Sequence, residues 1–329
     1  MMETLQDKNI WKVRKPSYLS LKSAWTEHLP FAFYLVNAFK PKLLVELGTH
    51  YGDSYLAFCE AIAEAGLEAR AFAVDTWQGD EHAGHYGDEV YTKVSLAHDP
   101  KYSHFSRLIR TTFDEAATTF PDGSIDLLHI DGLHTYEAVR HDFETWLPKL
   151  SSRAIVMFHD INVRDRGFGV WQLWDELKTR YPSFEFAHGH GLGILAVGDA
   201  QVADQESVLN WMNLHKREFQ RFFGAQGAAM TEYVNLSNHS HNLEFICNDR
   251  LSHIQNLQRE LAEAQAATQA VRDSLEALQN QHGLSLNNEN ECIAVVNRQQ
   301  AVIDTLERSV VFRLGSIAVS RAQKGSRKN

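Results

Sequence analysis

The sequence predicts a doubly wound α/β sheet followed by an α-helical coiled coil. Three observations predict it. Short apolar runs ending in an acid or a glycine alternate with helical patterns between residues 40 and 198. One of those runs feeds a helix through a glycine-punctuated turn. An apolar residue then recurs at alternating spacings of three and four from Ile254 onward.

The whole chain sets the bounds. Its 329 residues, 44% hydrophobic and 22% charged, suffice for at least one sizeable core. A formal net charge of −10 argues against a general nucleic-acid binder, because neutralising phosphates takes clustered basic residues. The widely spaced Cys59, Cys247 and Cys292 form neither a disulfide framework nor a zinc pattern and suit a reducing compartment. No apolar run approaches the ~18 residues of a membrane span, and Met1-Met2-Glu3-Thr4 opens no signal pattern. The expected setting is cytoplasmic.

A broadly apolar helix over 29–39 is stopped by Pro41. Leu43 to Leu47 is the first strand, and Gly48-Thr49-His50-Tyr51-Gly52 is the turn into a helix over 54–65. Such a turn brings backbone close to a ligand and aims helix N-terminal amides at it. The G-x-G-x-x-G dinucleotide fingerprint fails, since His50 and Asp53 occupy its further glycine positions. Glu46, beside the turn, suits a cationic or hydroxyl-rich ligand better than a pyrophosphate.

A second strand over 69–75 ends in Asp75. The loop 76–88 follows, with Thr76, Trp77, His82, His85 and Tyr86, and is long and aromatic enough to act as a lid. A helix over 88–97, a strand over 106–112 and a helix over 113–120 come next. Residues 125–131 are a near-continuous apolar run of the kind a central parallel strand shows, ending in Asp131. A helix over 136–147 leads to a strand over 154–158 that ends in His159-Asp160. A helix over 170–179 and strands over 184–187 and 193–197 close the sheet. Ligands of such sheets bind outside the carboxyl ends of the strands.

Beyond Gly198 the pattern changes. The expected division is a domain over 1–200 with an N-terminal helical cap, a helical connector over 201–250, an interrupted coiled coil over 251–311 and a basic tail over 312–329. The heptad seam runs Ile254, Leu257, Leu261, Ala264, Thr268, Val271, Leu275 and Leu278. It breaks at His282-Gly283 and resumes in register at Cys292, Val296, Ile303, Leu306 and Val310. This predicts a homo-oligomer. The tail's five basic residues, with no acid, could meet an anionic membrane as well as lie solvated at the end of the chain.

Glu46-x-Gly48-x-x-x-Gly52 resembles the first motif of class I S-adenosylmethionine-dependent methyltransferases, which share a Rossmann-like sheet. The segment Ile125-Asp126-Leu127-Leu128-His129-Ile130-Asp131-Gly132-Leu133-His134-Thr135-Tyr136 sharpens it. With Val139, Asp142, Trp146 and Phe158-His159-Asp160, it resembles methyltransferase family 24, related to metal-dependent sugar and catechol O-methyltransferases. The resemblance covers residues 25–198. It implies S-adenosylmethionine as cofactor, bound by Glu46, Gly48, Thr49, Gly52, Asp75, Thr76 and Trp77. Asp75 would hold the ribose, and Glu46 the methionine end or a water beside it; on its own, an Asp after a strand is more often a cap.

The resemblance also implies a divalent cation at Asp131 and Asp160, with His159 where relatives carry a second carboxylate or amide. Two carboxylates suit Mg²⁺, whereas an imidazole tilts a site toward Mn²⁺, Fe²⁺ or Zn²⁺. The implied reaction is methylation of a hydroxyl, of a sugar in glycan or glycolipid biosynthesis. Asp131 and His134 are its catalytic candidates, His134 as general base or as a partner of Asp131. His129 reads as a satisfied core histidine. Two other functions compete with this one: a non-catalytic scaffold for glycan-assembly enzymes, and an iron oxygenase built on His129, Asp131 and His188 or His190.

Overall fold

A computed structural model describes residues 15–200, 204, 207–282 and 291–308. The basic tail over 312–329, the Asn-rich break at 287–290, Val310 at the end of the seam and the first fourteen residues of the cap lie outside the described residues.

The sheet contains strands β1 (Leu43–Leu47), β2 (Arg70–Asp75), β3 (Ser106–Arg110), β4 (Ile125–Ile130), β5 (Leu150–His159), β6 (Ser183–Phe186) and β7 (Leu192–Ala196). Their order is β3-β2-β1-β4-β5-β7-β6. β1 to β5 run parallel, and β7 is antiparallel to both β5 and β6. The order reverses between β1 and β4, so the carboxyl ends of these two strands flank the crevice where such folds bind ligands.

Alternation along each strand builds two cores. Leu44, Ala71, Ala73, Leu127, Ile155 and Met157 face one side, with helices α1 (Leu29–Phe39) and α2 (Asp53–Glu64). Val45, Leu47, Val74, Leu128, Ile130, Val156 and Phe158 face the other, with α5 (Tyr136–Trp146) and α6 (Val170–Leu177). Between them in sequence stand α3 (Asp88–Tyr102) and the short α4 (Phe113–Ala117). The 76–88 loop contains a two-residue hairpin, Gly79–Asp80 with Gly84–His85, that its composition did not reveal.

The first compact unit extends from Met1 to Glu244, past the boundary expected at residue 200. Helices α7 (Val208–Leu214) and α8 (Lys216–His282) explain why. Val208, Leu209, Met212, Phe219, Phe223 and Met230 are buried in the same core as α1. Burying each such side chain contributes about 1.5–3 kcal/mol, so this stretch is part of the domain and not a connector.

In the second unit, from Phe245, the helical residues 291–308 follow α8. Thr268, Val271, Leu275, Cys292, Val295 and Val296 line one groove, so the two stretches of the seam meet within the chain. Leu261, Leu278, Val302 and Leu306 remain exposed. No helix among the described residues is long and apolar enough to cross a membrane.

Asp142 on α5 is only 7% exposed, and burial pushes its carboxyl up to about 7. From the unfolded value near 3.9 up to about 7, the folded chain therefore holds a proton that the unfolded chain has lost. Stability should fall across that window as pH rises. Asp142→Asn removes the penalty: the variant should exceed the parent by about 2–4 kcal/mol at pH 8 and match it near pH 4. Urea unfolding at the two pH values measures this, and an equal gain at both would show that ionisation is not the cause.

Candidate active site

The carboxyl ends of β1, β2, β4 and β5 open into a cleft of about 450 Å³. Gly48, Thr49, Gly52, Asp75, Thr76, Asp131, His134, His159 and Asp160, all singled out by sequence, line it. Glu46 and Trp77 do not. Both lie behind the cleft, fully buried.

Glu46 and His129 are register partners on β1 and β4, and their side chains emerge on the same face. The Trp25 indole N–H donates to His129 Nε2 at 3.1 Å. His129 Nδ1 must then carry the proton, which it donates to Glu46 Oε2 at 2.8 Å. Burial holds the Glu46 carboxyl above its usual range, and the His129 hydrogen bond partly counters that. Both His129 nitrogens are engaged, so it is a satisfied core histidine and cannot ligate iron. The oxygenase alternative fails on that geometry.

Asp75 ties the glycine turn to β2. Its Oδ2 accepts from the amides of Thr49 (2.8 Å) and His50 (2.9 Å), and its Oδ1 from the amide of Trp77 (2.7 Å). Trp77 closes the same knot by donating its indole N–H to the His50 carbonyl at 3.0 Å. Thus Asp75 is a turn cap that also lines the cleft, and Oδ1 keeps a lone pair for a further donor. His50 and Trp77 both sit at positive φ, +49° and +51°, so the knot holds strained backbone. Tyr86 stacks on the His50 ring at 5.1 Å, placing the loop after the hairpin over the turn.

Gly48 fixes the distance between the two motifs. It has φ +85°, and a Cβ there would lie 2.1 Å from the Asp131 carbonyl oxygen. The turn and the end of β4 can lie this close only because the position is glycine.

Opposite the turn, Asp131, His134 and Asp160 bring ligand-type atoms within 4.8 Å of one another. His134 Nε2 is 2.9 Å from Asp160 Oδ2 and 3.4 Å from Asp131 Oδ1. His159 Nδ1 lies 3.3 Å from Asp131 Oδ1 and 3.5 Å from Asp160 Oδ2. Asp160 takes φ +62°, a cost at the strand end that turns its carboxylate back into the cleft. Burial alone would lower both imidazoles, but the two carboxylates outweigh it, holding His134 up at about 9 and His159 at about 10. Burial would raise Asp131 and Asp160, and the same pairing keeps both below the ordinary carboxylate range. His134 Nε2 is thus shared between the two carboxylates, which is the partner role for Asp131 that the sequence offers beside that of general base.

Three more residues contribute, from the segments over 168–171 and 188–193 that the sequence offers either as the acceptor side of the site or as tight turns. Phe168 stacks on His134 (4.5 Å, 13°) and on His82 (4.5 Å, 25°), making an aromatic wall. His190 places Nδ1 3.2 Å from Asp160 Oδ1. Gly189, φ +55°, offers its carbonyl to both His159 Nε2 (3.1 Å) and His28 Nε2 (2.9 Å). The His188-Gly189-His190-Gly191 run was the available signal, since alternating glycines permit a turn that presents carbonyls inward.

Residues 45–161 match a family model described as a methyltransferase domain. An uncharacterized protein, y4gI, of Sinorhizobium fredii is 54% identical over 184 residues, covering 56% of this chain and 20% of that protein, so the chain spans about a fifth of its relative's length. Among solved structures, a methyltransferase from Geobacter sulfurreducens aligns with TM-score 0.39 and 17% identity, over 52% of this chain and 78% of its own. The S-adenosylhomocysteine-bound methyltransferase PaMTH1 of Podospora anserina gives TM-score 0.39 and 16% identity, over 51% and 77%. The family match and the glycine turn fall on the same stretch of the sheet, whose carboxyl ends open into the cleft.

Proposed function

We propose that this protein is an S-adenosylmethionine-dependent, divalent-metal-assisted O-methyltransferase, acting on a sugar hydroxyl in glycan or glycolipid biosynthesis. One observation carries the reading: the glycine turn with Asp75 and the Asp131–His134–Asp160 cluster face each other across a single cleft. The first half suits a nucleoside, with Asp75 Oδ1 toward the ribose hydroxyls and the α2 amides toward the carboxylate end. The second half fits a dication, because two largely buried carboxylates and an imidazole converge there.

Methyl transfer forms a C–O bond, breaks the sulfonium C–S bond and releases the hydroxyl's proton. A sugar hydroxyl is a poor nucleophile. A dication held by Asp131 and Asp160 would supply Lewis acidity and a template for two vicinal oxygens. The wall of His82, Phe168 and His134 offers ring faces for an acceptor, and its closeness to both carboxylates orients that acceptor toward the methyl group.

Calorimetry of S-adenosylmethionine binding, with and without divalent metal, is the direct test. Micromolar binding that persists in chelator supports the reading; its absence in both conditions refutes it. Asp75→Ala should weaken binding by about 1–3 kcal/mol, since it removes a charged acceptor and loosens the turn it caps. Undiminished affinity in a folded variant would remove Asp75 from the cofactor site.

The exposed apolar residues of the second unit support self-association through the coil. The test compares the full chain with one ending at Glu244, which keeps Phe219 and Phe223 in place. Light scattering should show an oligomer only for the full chain, and two monomers would end the proposal.

A further inference from the structure

We infer that two imidazoles, His134 and His159, join Asp131 and Asp160 in one four-donor site, and that this site takes a first-row transition dication in preference to magnesium. The inference rests on the metal part of the function proposed above. It replaces the preference for Mg²⁺ that two carboxylates alone would give with a selection rule set by this chain's own residues.

The distances carry it. Asp131 Oδ1 and Asp160 Oδ2 are each approached by both rings: His134 Nε2 at 3.4 and 2.9 Å, His159 Nδ1 at 3.3 and 3.5 Å. The four atoms therefore form a closed ring with carboxylate and imidazole alternating. Donors bound at about 2.0–2.2 Å to one ion stand roughly 3.0–3.5 Å apart when adjacent, which is the spacing of this ring.

The orientation of His159 points the same way. Its Nε2 lies 3.1 Å from the Gly189 carbonyl, so that nitrogen carries a proton. Nδ1 is then the nitrogen that faces both carboxylate oxygens, and a dication that displaces its proton would find the lone pair directed between them. A backbone carbonyl fixing the far nitrogen is how metal-bound histidines are usually held. Gly189 cannot be changed freely, because a Cβ there would lie 2.8 Å from His28 Nε2. The turn that orients His159 is thus locked by packing.

Donor chemistry sets the choice of ion. Magnesium demands hard oxygen ligands and retains water, whereas imidazole suits zinc, iron, cobalt or nickel. Two imidazoles among four protein donors remove half of the oxygen set that magnesium would use.

The test uses the full chain, stripped with chelator and titrated with Co²⁺ in the visible range. One Co²⁺ per chain is expected, with ligand-field bands of a nitrogen-containing site that a thousand-fold excess of Mg²⁺ does not displace. His134→Gln and His159→Gln should each shift those bands and weaken Co²⁺ binding by about ten-fold or more. Three outcomes overturn the inference: displacement by Mg²⁺ at comparable concentration, no Co²⁺ bound because the rings are protonated, or bands that neither variant moves. The competition uses unaltered protein, so a variant that fails to fold leaves the test standing. If S-adenosylmethionine still binds while Mg²⁺ competes equally, only the metal preference falls; if neither cofactor nor metal binds, the methyltransferase reading falls too.

Discussion

Gly48→Ala is expected to abolish measurable S-adenosylmethionine binding and to cost about 2–4 kcal/mol of stability. The added Cβ would meet three backbone atoms: the Asp131 carbonyl oxygen at 2.1 Å, its carbon at 2.6 Å and the Gly132 nitrogen at 2.9 Å. None can swing aside as a side chain would. The residue also sits at φ +85°, where a Cβ is strained whatever the space. Relief requires the turn and the end of β4 to separate, and these are the two halves of the cleft. Gly66→Ala is the control. It shares a positive φ, +60°, but has nothing within 4 Å of the new Cβ, so it should lose about 1 kcal/mol and bind cofactor normally. Calorimetry and urea unfolding of both variants decide the matter. Equal cofactor affinity in the two would show that the close approach at Gly48 does not shape the site.

Gly48 was legible in the sequence because its reason is local: a strand, a turn and a helix in succession. Asp131 and Asp160 were legible for a related reason, as acids at the ends of apolar runs. The partner that holds Glu46 was not legible. That partner, His129, lies on β4, and only the parallel register of β1 with β4 sets the two side by side. Trp25, which fixes the tautomer of that histidine, comes from before the first strand. The domain's extent was hidden in the same way. Phe219, Phe223 and Met230 recur at spacings a lone helix could show, and nothing local says that α1 and the sheet cover them. That His134 and His159 both converge on Asp131 and Asp160 depends on the path of the loop after β4 and on the bend at the positive φ of Asp160. Sequence supplies no signal for that bend.

Replacing both Asp131 and Asp160 by Asn should abolish turnover while leaving S-adenosylmethionine bound. Both carboxylates are largely buried, and each lies within 3.5 Å of two imidazole nitrogens. An amide keeps the shape but removes two negative charges, and with them the reason for a dication to reside there. Loss of one preorganised electrostatic group at a reacting centre typically costs about 10²–10³ in rate, so the pair should exceed 10³. Cofactor affinity should hold within a few-fold, because the turn, Asp75 and the α2 amides are untouched. Release of S-adenosylhomocysteine, measured with whichever hydroxyl acceptor first supports it, reads the loss. Excess chelator on the unaltered protein should reproduce it, and added metal should rescue the unaltered protein but not the variant. Full turnover in chelator, or in the double variant, would mean that the carboxylates serve only to anchor His134 and His159, and that the hydroxyl is activated without a metal.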